Sequence, residues 1–468
     1  MADAGRGFGA LPHRRARALA LPAIASNVAV PLVGLIDTAV VGHFATARDL
    51  GAVGLGAAVV SSIFWAFTFV RPGTTALVGR AWGAGQTQEA TRHLQRALAL
   101  AATLGAAWLA LQWAVVPLVV RVLASTADAG PLAERYALIR GLSVPAVLLT
   151  LAVVGYLIGT HDTRTPLVIA ATVGVVNAVL AVWFVAGLGH GAEGSAWATF
   201  CAEWAGLGAA LVVLRLRLGG AEWRRLLRWD PELRRGWASL MTMNAHLVVR
   251  TALLVTAVTL TASLGSRIGT AVLAANAILM QMMNLASYAL DGYATAAETM
   301  AAREVGRRDV DALHRATGAT AIASGAIALG LSAAMWAAGP WLISALTGQA
   351  EVAAEATRYW WVAVALPVAS VGAYLLDGIF LGTGRSRDMM TWMAVAVLGV
   401  YAPLVLGSLL TDRFTNTVLW VAFLAMNVTR ALTLAMRYAV VTRRGGWLTP
   451  PGSRQGLTVQ KDAPNEAP

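Results

Sequence analysis

Residues 155–164 read Gly-Tyr-Leu-Ile-Gly-Thr-His-Asp-Thr-Arg, and residues 378–387 read Gly-Ile-Phe-Leu-Gly-Thr-Gly-Arg-Ser-Arg, 223 positions later. Pro145 and Pro367 recur at an offset of 222, and Trp197 and Trp420 at 223. Gly85 to Arg96 resembles Gly306 to Arg315 if a two-residue gap is allowed. Self-similarity at a long fixed period marks a chain built from repeated units. We read residues 1–218 and 235–442 as two copies of one unit, joined by a linker at 219–234 and followed by a tail at 443–468.

What each copy contains follows from composition. The chain is 57% hydrophobic and 13% charged, against about 25% charged in soluble domains. Leu50–Val70, Ala97–Val120, Thr165–Ala192, Ile268–Leu290 and Ala316–Ala350 carry no Asp, Glu, Lys or Arg. Each is long enough to cross a bilayer, which takes roughly 20 apolar residues. Twelve helices are expected, near 16–42, 50–78, 94–122, 132–159, 165–188, 193–217, 235–264, 270–300, 312–338, 352–382, 388–411 and 414–441. Ala129-Gly130-Pro131, Gly187-Leu188-Gly189, Asp230-Pro231 and Gly339-Pro340 punctuate them. The fold class is therefore all-α, a polytopic membrane protein with six helices per copy. Six is even, so both copies enter the membrane from the same side and the repeats are parallel, an arrangement common among transporters.

Arginine placement orients the chain. With the N-terminus inside, 26 of the 36 Lys and Arg residues fall on inner segments, 6 on outer loops and 4 (Arg71, Arg140, Arg250, Arg430) within spans. One missed helix would invert every later loop, so the bias supports twelve spans with both termini cytoplasmic in the cell membrane. The net charge of +12 is thus a topology signal and an attraction to anionic lipid, and nucleic-acid binding is not needed to explain it. The linker, with Trp223, Arg224, Arg225, Leu226, Leu227, Arg228 and Trp229, reads as a basic amphipathic stretch on the inner surface. The first apolar run holds Pro22, Asn27, Pro31 and Asp37 and no cleavage pattern, so it reads as a retained helix rather than a signal peptide. A single cysteine, Cys201, excludes a disulfide framework and a cysteine-based metal site within the chain.

Charges stranded in apolar spans are costly and mark ion or substrate pathways. Asp37, Arg140, Glu203, Arg250, Asp291, Glu298 and Asp377 are the clearest. Asp37 follows Pro31 by six residues, beside a bend that proline imposes. A carboxyl group in such a pocket can take a proton from one side and yield it to the other. Its bland alternative is a solvated helix end. Asp291 and Glu298 lie seven apart, two turns along one helix face, and Arg250 is the expected counter-charge of Asp291. Glu203, one turn from Thr199, pairs either with the Asp37 site or with Arg140. Phe64, Trp65, Phe67 and Met282, with Trp360 and Trp361, are candidates for an adaptable substrate pocket, against packing or lipid anchoring. The Gly83-Ala-Gly85 turn lacks the residues of a phosphate cradle, and the seven histidines show no metal spacing, although His246 lies inside a span.

At this point the segments become a family pattern. Leu21-Pro-Ala-Ile through Gly34-Leu-Ile-Asp37-Thr-Ala-Val-Val-Gly42-His, Ala274-Ala-Asn276-Ala-Ile-Leu, Ser287 through Asp291 to Glu298, and Leu376-Asp377 to Gly382-Thr resemble the multidrug and toxic compound extrusion (MATE) family, in its DNA-damage-inducible F branch. The resemblance spans nearly all of 18–440. It implies two six-helix bundles in a V, and efflux of amphipathic, often cationic compounds driven by inward H⁺ or Na⁺. It also implies that Asp37 is the proton-linked residue of the first bundle and that Asp377 binds a cation or shapes the cavity of the second. The chain departs from the pattern at Ala181, where similar transporters carry a second carboxylate four residues after Asn177. Asp37 then works either with Asn177 and a hydroxyl such as Thr199, or with Glu203. Sodium requires several oxygen ligands, for which Asp377, Glu298 and Asn276 are candidates. No cofactor and no catalysis are expected. The expected partners are a small amphipathic molecule and the bilayer, with the chain acting as a monomer. Two rivals are a lipid-linked saccharide flippase of the same superfamily, which would favour an arginine-lined cavity, and a membrane-embedded prenyl transferase, which would need an Asp-rich motif.

Overall fold

A computed structural model describes residues 12–123, 130–226, 228, 233 and 236–448. The start of the chain, including Arg6, part of the linker, including Leu227 and Trp229, and the tail from 449 on lie outside the described residues. The described residues hold eleven helices long and apolar enough to cross a membrane, or twelve spans when Gly130–Gly141 and Val144–Gly159, bent by 42°, count as one. In chain order the spans are 1 (Pro12–Phe44), 2 (Ala47–Gly83), 3 (Thr87–Arg121), 4 (the bent pair), 5 (Arg164–Gly187), 6 (Gly191–Arg217), 7 (Trp237–Ile268), 8 (Thr270–Gly306), 9 (Val310–Leu346), 10 (Ala350–Gly382), 11 (Ser386–Leu410) and 12 (Asn416–Arg443).

Backbone breaks fall where the residues demand them. Span 4 bends just before Pro145, and the Trp108 indole donates to the freed Gly141 carbonyl at 3.1 Å. Span 11 widens into a π turn at Val397–Tyr401 immediately ahead of Pro403, which cannot donate a helical hydrogen bond. One expected break is absent. Span 9 continues through Gly339-Pro340 to Leu346. The Trp360 indole packs on Gly339 and donates to the Met335 carbonyl at 2.8 Å, so tertiary packing supports the turn that proline weakens.

The repeat is visible in the backbone. Left-handed residues occur at Gly85, His161 and Gly189, and again at Arg308, Gly384 and Asp412, each pair 223 apart. Asp162 N donates to Leu157 O at 2.8 Å, and Arg385 N donates to Phe380 O at 2.7 Å in the equivalent turn. Gly85 therefore matches Arg308 with no gap, which corrects the two-residue gap read from the sequence. The Gly-x-x-x-Gly pattern that opened the analysis is a packing device. A Cβ at Gly155 or Gly159 would strike the Arg71 or Thr75 carbonyl, and one at Gly378 or Gly382 would strike the Ala294 or Glu298 carbonyl. Thus span 4 seats on span 2 as span 10 seats on span 8.

Where the halves share a core decides the shape. One core (including Ala257, Leu279, Tyr359 and Phe423) is drawn only from spans 7–12. Two others (around Val59 and Leu148, and around Val41 and Tyr136) come only from spans 1–6. Mixed cores occur where Ala76 and Leu77 meet Ala297 and Phe380, and where Ala16, Leu19 and Ala20 meet Tyr293 and Met300. Both mixed cores lie beside the arginine-bearing loops. There spans 2 and 8 cross reciprocally: a Cβ at Gly83 would strike the Arg303 backbone, and one at Gly306 the Arg80 backbone. Arg80 and Arg303 are themselves 223 apart. The halves are joined at the arginine-rich end and keep separate cores toward the other.

Candidate functional site

Asp37 is 4% exposed. Span 1 places it against spans 5 and 6, where Asn177 Nδ2 donates to Oδ1 at 2.9 Å and Thr199 Oγ1 to Oδ2 at 3.0 Å. Asn177 and Thr199 are fully buried, as is Ala181. Of the two arrangements left open by the sequence, the structure forms the one with Asn177 and a hydroxyl. The Thr199 hydroxyl has a single proton and a second acceptor within reach, the Ser195 carbonyl at 3.1 Å. A proton arriving on Asp37 can therefore be donated to Thr199 Oγ1 while Thr199 turns its own proton to Ser195. The bonds at Asp37 stay satisfied in either protonation state, while Asn177 Oδ1 and Ser195 Oγ beside them are buried without a partner.

Glu203 is half-buried on span 6 and hydrogen-bonds neither Asp37 nor Arg140 among the described contacts; Arg140 faces both acids electrostatically. The Arg140 guanidinium sits over the Phe64 ring at 5.8 Å, and its Nε and one Nη lack hydrogen-bond partners. The first half thus gathers one anchored carboxyl, one loosely placed carboxyl and one shared cation.

In the second half the expected Asp291–Arg250 pair is not formed. Arg250 Nη2 instead bonds Asp377 Oδ2 at 2.5 Å, and Arg430 from span 12 bonds the same oxygen. Span 12 packs directly on span 10 and brings Arg430 to Asp377, and Arg250 reaches the same carboxylate from span 7, which packs on spans 8, 11 and 12, whereas Asp291 on span 8 stays only within the electrostatic reach of Arg71, Arg250 and Arg430. Arg430 had no assigned role in the sequence reading. The signal available was an arginine in mid-span with no carboxylate at helical spacing. Arg71 was likewise unassigned. It crosses from span 2 to span 8, where Nη1 donates to Thr295 Oγ1 at 3.5 Å.

Asn276 does not join this group. It forms a reciprocal amide pair with Asn416 (2.8 and 3.1 Å) and accepts from the Trp420 indole at 2.9 Å. Fifteen residues separate it from Asp291 on one helix, about 22 Å. Asp377, Glu298 and Asn276 therefore do not converge on one cation. Met282 is buried in the core of spans 7–12, and Phe64 and Phe67 are partly buried against a core of the first half. Trp65 is 52% exposed. At the arginine-rich end, His161 Nδ1 accepts from Arg15 at 3.2 Å. Burial pushes this loop imidazole down to about 4, so it is neutral at pH 7 and able to accept.

Comparisons with known proteins agree with this architecture. The MatE family profile matches residues 22–183 and 247–406. DNA damage-inducible protein F of Escherichia coli (strain K12) is 36% identical over 432 residues, 92% of each chain. A probable multidrug resistance protein NorM of Caulobacter vibrioides is 29% identical over 204 residues, 42% of this chain and 43% of that protein. Among solved structures, a MOP superfamily transporter from Pyrococcus furiosus superposes with a TM-score of 0.81 at 18% identity, covering 92% of this chain and 97% of that one. A eukaryotic MATE transporter gives 0.82 at 14%, covering 93% and 97%.

Proposed function

This chain belongs to the MatE family of multidrug and toxic compound efflux transporters, and from that membership we propose that it is a proton-coupled antiporter exporting amphipathic organic cations from the cytoplasm. The observation that carries the reading is Asp37, a buried carboxyl six residues past Pro31 in a continuous span, whose two oxygens both accept from neutral donors. Such a group binds a proton with no more than a turn of the Thr199 hydroxyl, while sodium would have to turn the Asn177 amide around and recruit further oxygens. The arginine-rich end, where the halves are joined, faces the cytoplasm by the positive-inside rule. With the halves joined at that end and their cores separate toward the other, this state is read as outward-facing. Proton occupancy and substrate prefer opposite states of the two bundles, and that difference in affinity couples them. The functional unit is one chain, because both sides of the seam come from it. Arg250 and Arg430 are both committed to Asp377, which speaks against an arginine-lined pyrophosphate cavity of the flippase kind.

The test is efflux of ethidium from cells expressing the protein. Efflux should stop when a protonophore collapses the proton gradient and in Asp37→Asn. In vesicles, an imposed pH gradient should drive uptake and an imposed sodium gradient should not. Sodium-driven transport at constant pH would refute the choice of ion, and an active Asp37→Asn would refute the site.

A further inference from the structure

Glu298 is the most thoroughly enclosed acid that the cycle above does not use. It is 4% exposed, its Oε1 has no hydrogen-bond partner, and no basic group comes within ion-pair distance of it among the described residues. It lies in the seam between halves. Its neighbours Ala297 and Ala301 share a core with Leu77 of span 2, Leu240 of span 7 and Ile379 of span 10. Span 10 presses on its carbonyl through Gly382, and one turn further Gly79 of span 2 abuts Ala302.

The charged groups around it come from several spans. Arg71 of span 2 and Asp291 of its own span act on it directly. Asp291 in turn faces Arg250 of span 7, Asp377 of span 10 and Arg430 of span 12. Spans 1 and 9 also pack on span 8, but their Arg15, Arg17 and Arg315 act at Glu304 or Tyr293. Arg71 is thus the nearest compensation, and it belongs to the opposite half and is spent on Thr295.

An ionised carboxylate in a closed apolar seam without a bonded partner is too costly to persist, whereas a protonated one costs only what a neutral polar group costs. Parting the Gly83 and Gly306 crossing would admit water to the seam and let the acid ionise. The geometry points to Glu298 as a second proton-binding site, loaded while the arginine-rich ends are joined and discharged to that side when they separate. The inference rests on the alternating-access reading above, and it adds a second proton to the one carried at Asp37. The sign follows from the loading: low pH holds the seam closed, high pH favours its opening.

Spin labels at Arg164→Cys and Asp311→Cys, both exposed at the arginine-rich end of opposite halves, in a Cys201→Ser background, report the separation by double electron–electron resonance in vesicles. The ratio of separated to joined ends should rise about tenfold or more from pH 6 to pH 9 in the parent. In Glu298→Gln it should stay joined, changing less than about twofold, since the amide mimics the loaded acid. A parent without the rise, or Glu298→Gln that keeps it, overturns the proposal whether or not Asp37 couples transport, because the readout is distance and not efflux. Arg71→Met gives an independent arm if the glutamine variant is not recovered folded: it should open further than the parent at pH 9, and an unchanged ratio overturns the proposal equally.

Discussion

Removing the aspartate from between its two arginines should be far more damaging than removing either arginine. The Asp377 side chain is 11% exposed, Arg430 2% and Arg250 20%, and both guanidinium groups meet the same carboxylate oxygen. Asp377→Leu leaves two cations facing each other with their shared anion gone. Breaking a buried pair by removing one partner costs about 3–5 kcal/mol. Arg250 is partly solvated and recovers some of its share, so the lower half of that range, about 3–4 kcal/mol, is the expectation. Arg430→Leu leaves Asp377 still paired to Arg250 and should cost about 1–2 kcal/mol. The double variant Asp377→Leu/Arg430→Leu removes the more deeply buried of the uncompensated cations and should be more stable than Asp377→Leu alone, a coupling that a double-mutant cycle reads directly. In a chain of this size each kcal/mol moves the melting temperature by about 2 °C or less. The single variant should therefore unfold about 6 °C early in detergent, followed by size-exclusion recovery after heating. Asp377→Leu melting with the parent, or a double variant less stable than both singles, would show that the two arginines do not depend on this carboxylate.

Thr199→Val removes one of the two donors to Asp37, worth about 1.5–3 kcal/mol for a bond to a charged group; the pH of half-maximal efflux should move about one to two units alkaline, and an unmoved profile would exclude the hydroxyl from the coupling network. Gly83→Val at the crossing of spans 2 and 8 has no room beside the Arg303 backbone, so a cysteine introduced at Ala302 should become reactive to a water-soluble maleimide from the arginine-rich side and transport should fall; continued protection would contradict the crossing. His161 titrates at about 4 in the fold against 6.5 as its ordinary value, so the unfolded imidazole takes a proton in a window where the buried one does not, and stability falls as pH drops from about 6.5 to 4. His161→Gly removes that group and suits the φ of 67°, so its melting temperature should vary less over pH 7 to 5 than the parent's; an identical slope would assign the acid sensitivity elsewhere.

Part of the Asp37 site was legible because Pro31 and Asp37 announce themselves within a few turns of one span. Asn177 and Thr199, 140 and 162 residues away, were named as its partners only through the resemblance to the family. The partner choice in the second half was not legible. Arg250 has Asp291 and Asp377 as possible anions, and nothing in the spacing says that its guanidinium, on a span that packs against span 8, reaches past Asp291 to the carboxylate of span 10. Asn276 was misplaced for a similar reason: it lies on the same helix as Asp291 and Glu298, but a helix 37 residues long separates its ends by more than the width of any single site.

The sequence by itself determined the helical class, the number of spans, the repeat at 223 and the end that carries the arginines, because each follows from composition and period along one chain. Only the tertiary structure decided which charges meet, that Met282 lies in the core of spans 7–12, that Gly339-Pro340 does not end its helix, and that the halves close on one another through Gly83 and Gly306. Those outcomes depend on distances between helices far apart in sequence. An apolar span exposes the same kinds of side chain whether it faces lipid, a partner helix or the seam, so its pattern carries no record of the neighbour it finds.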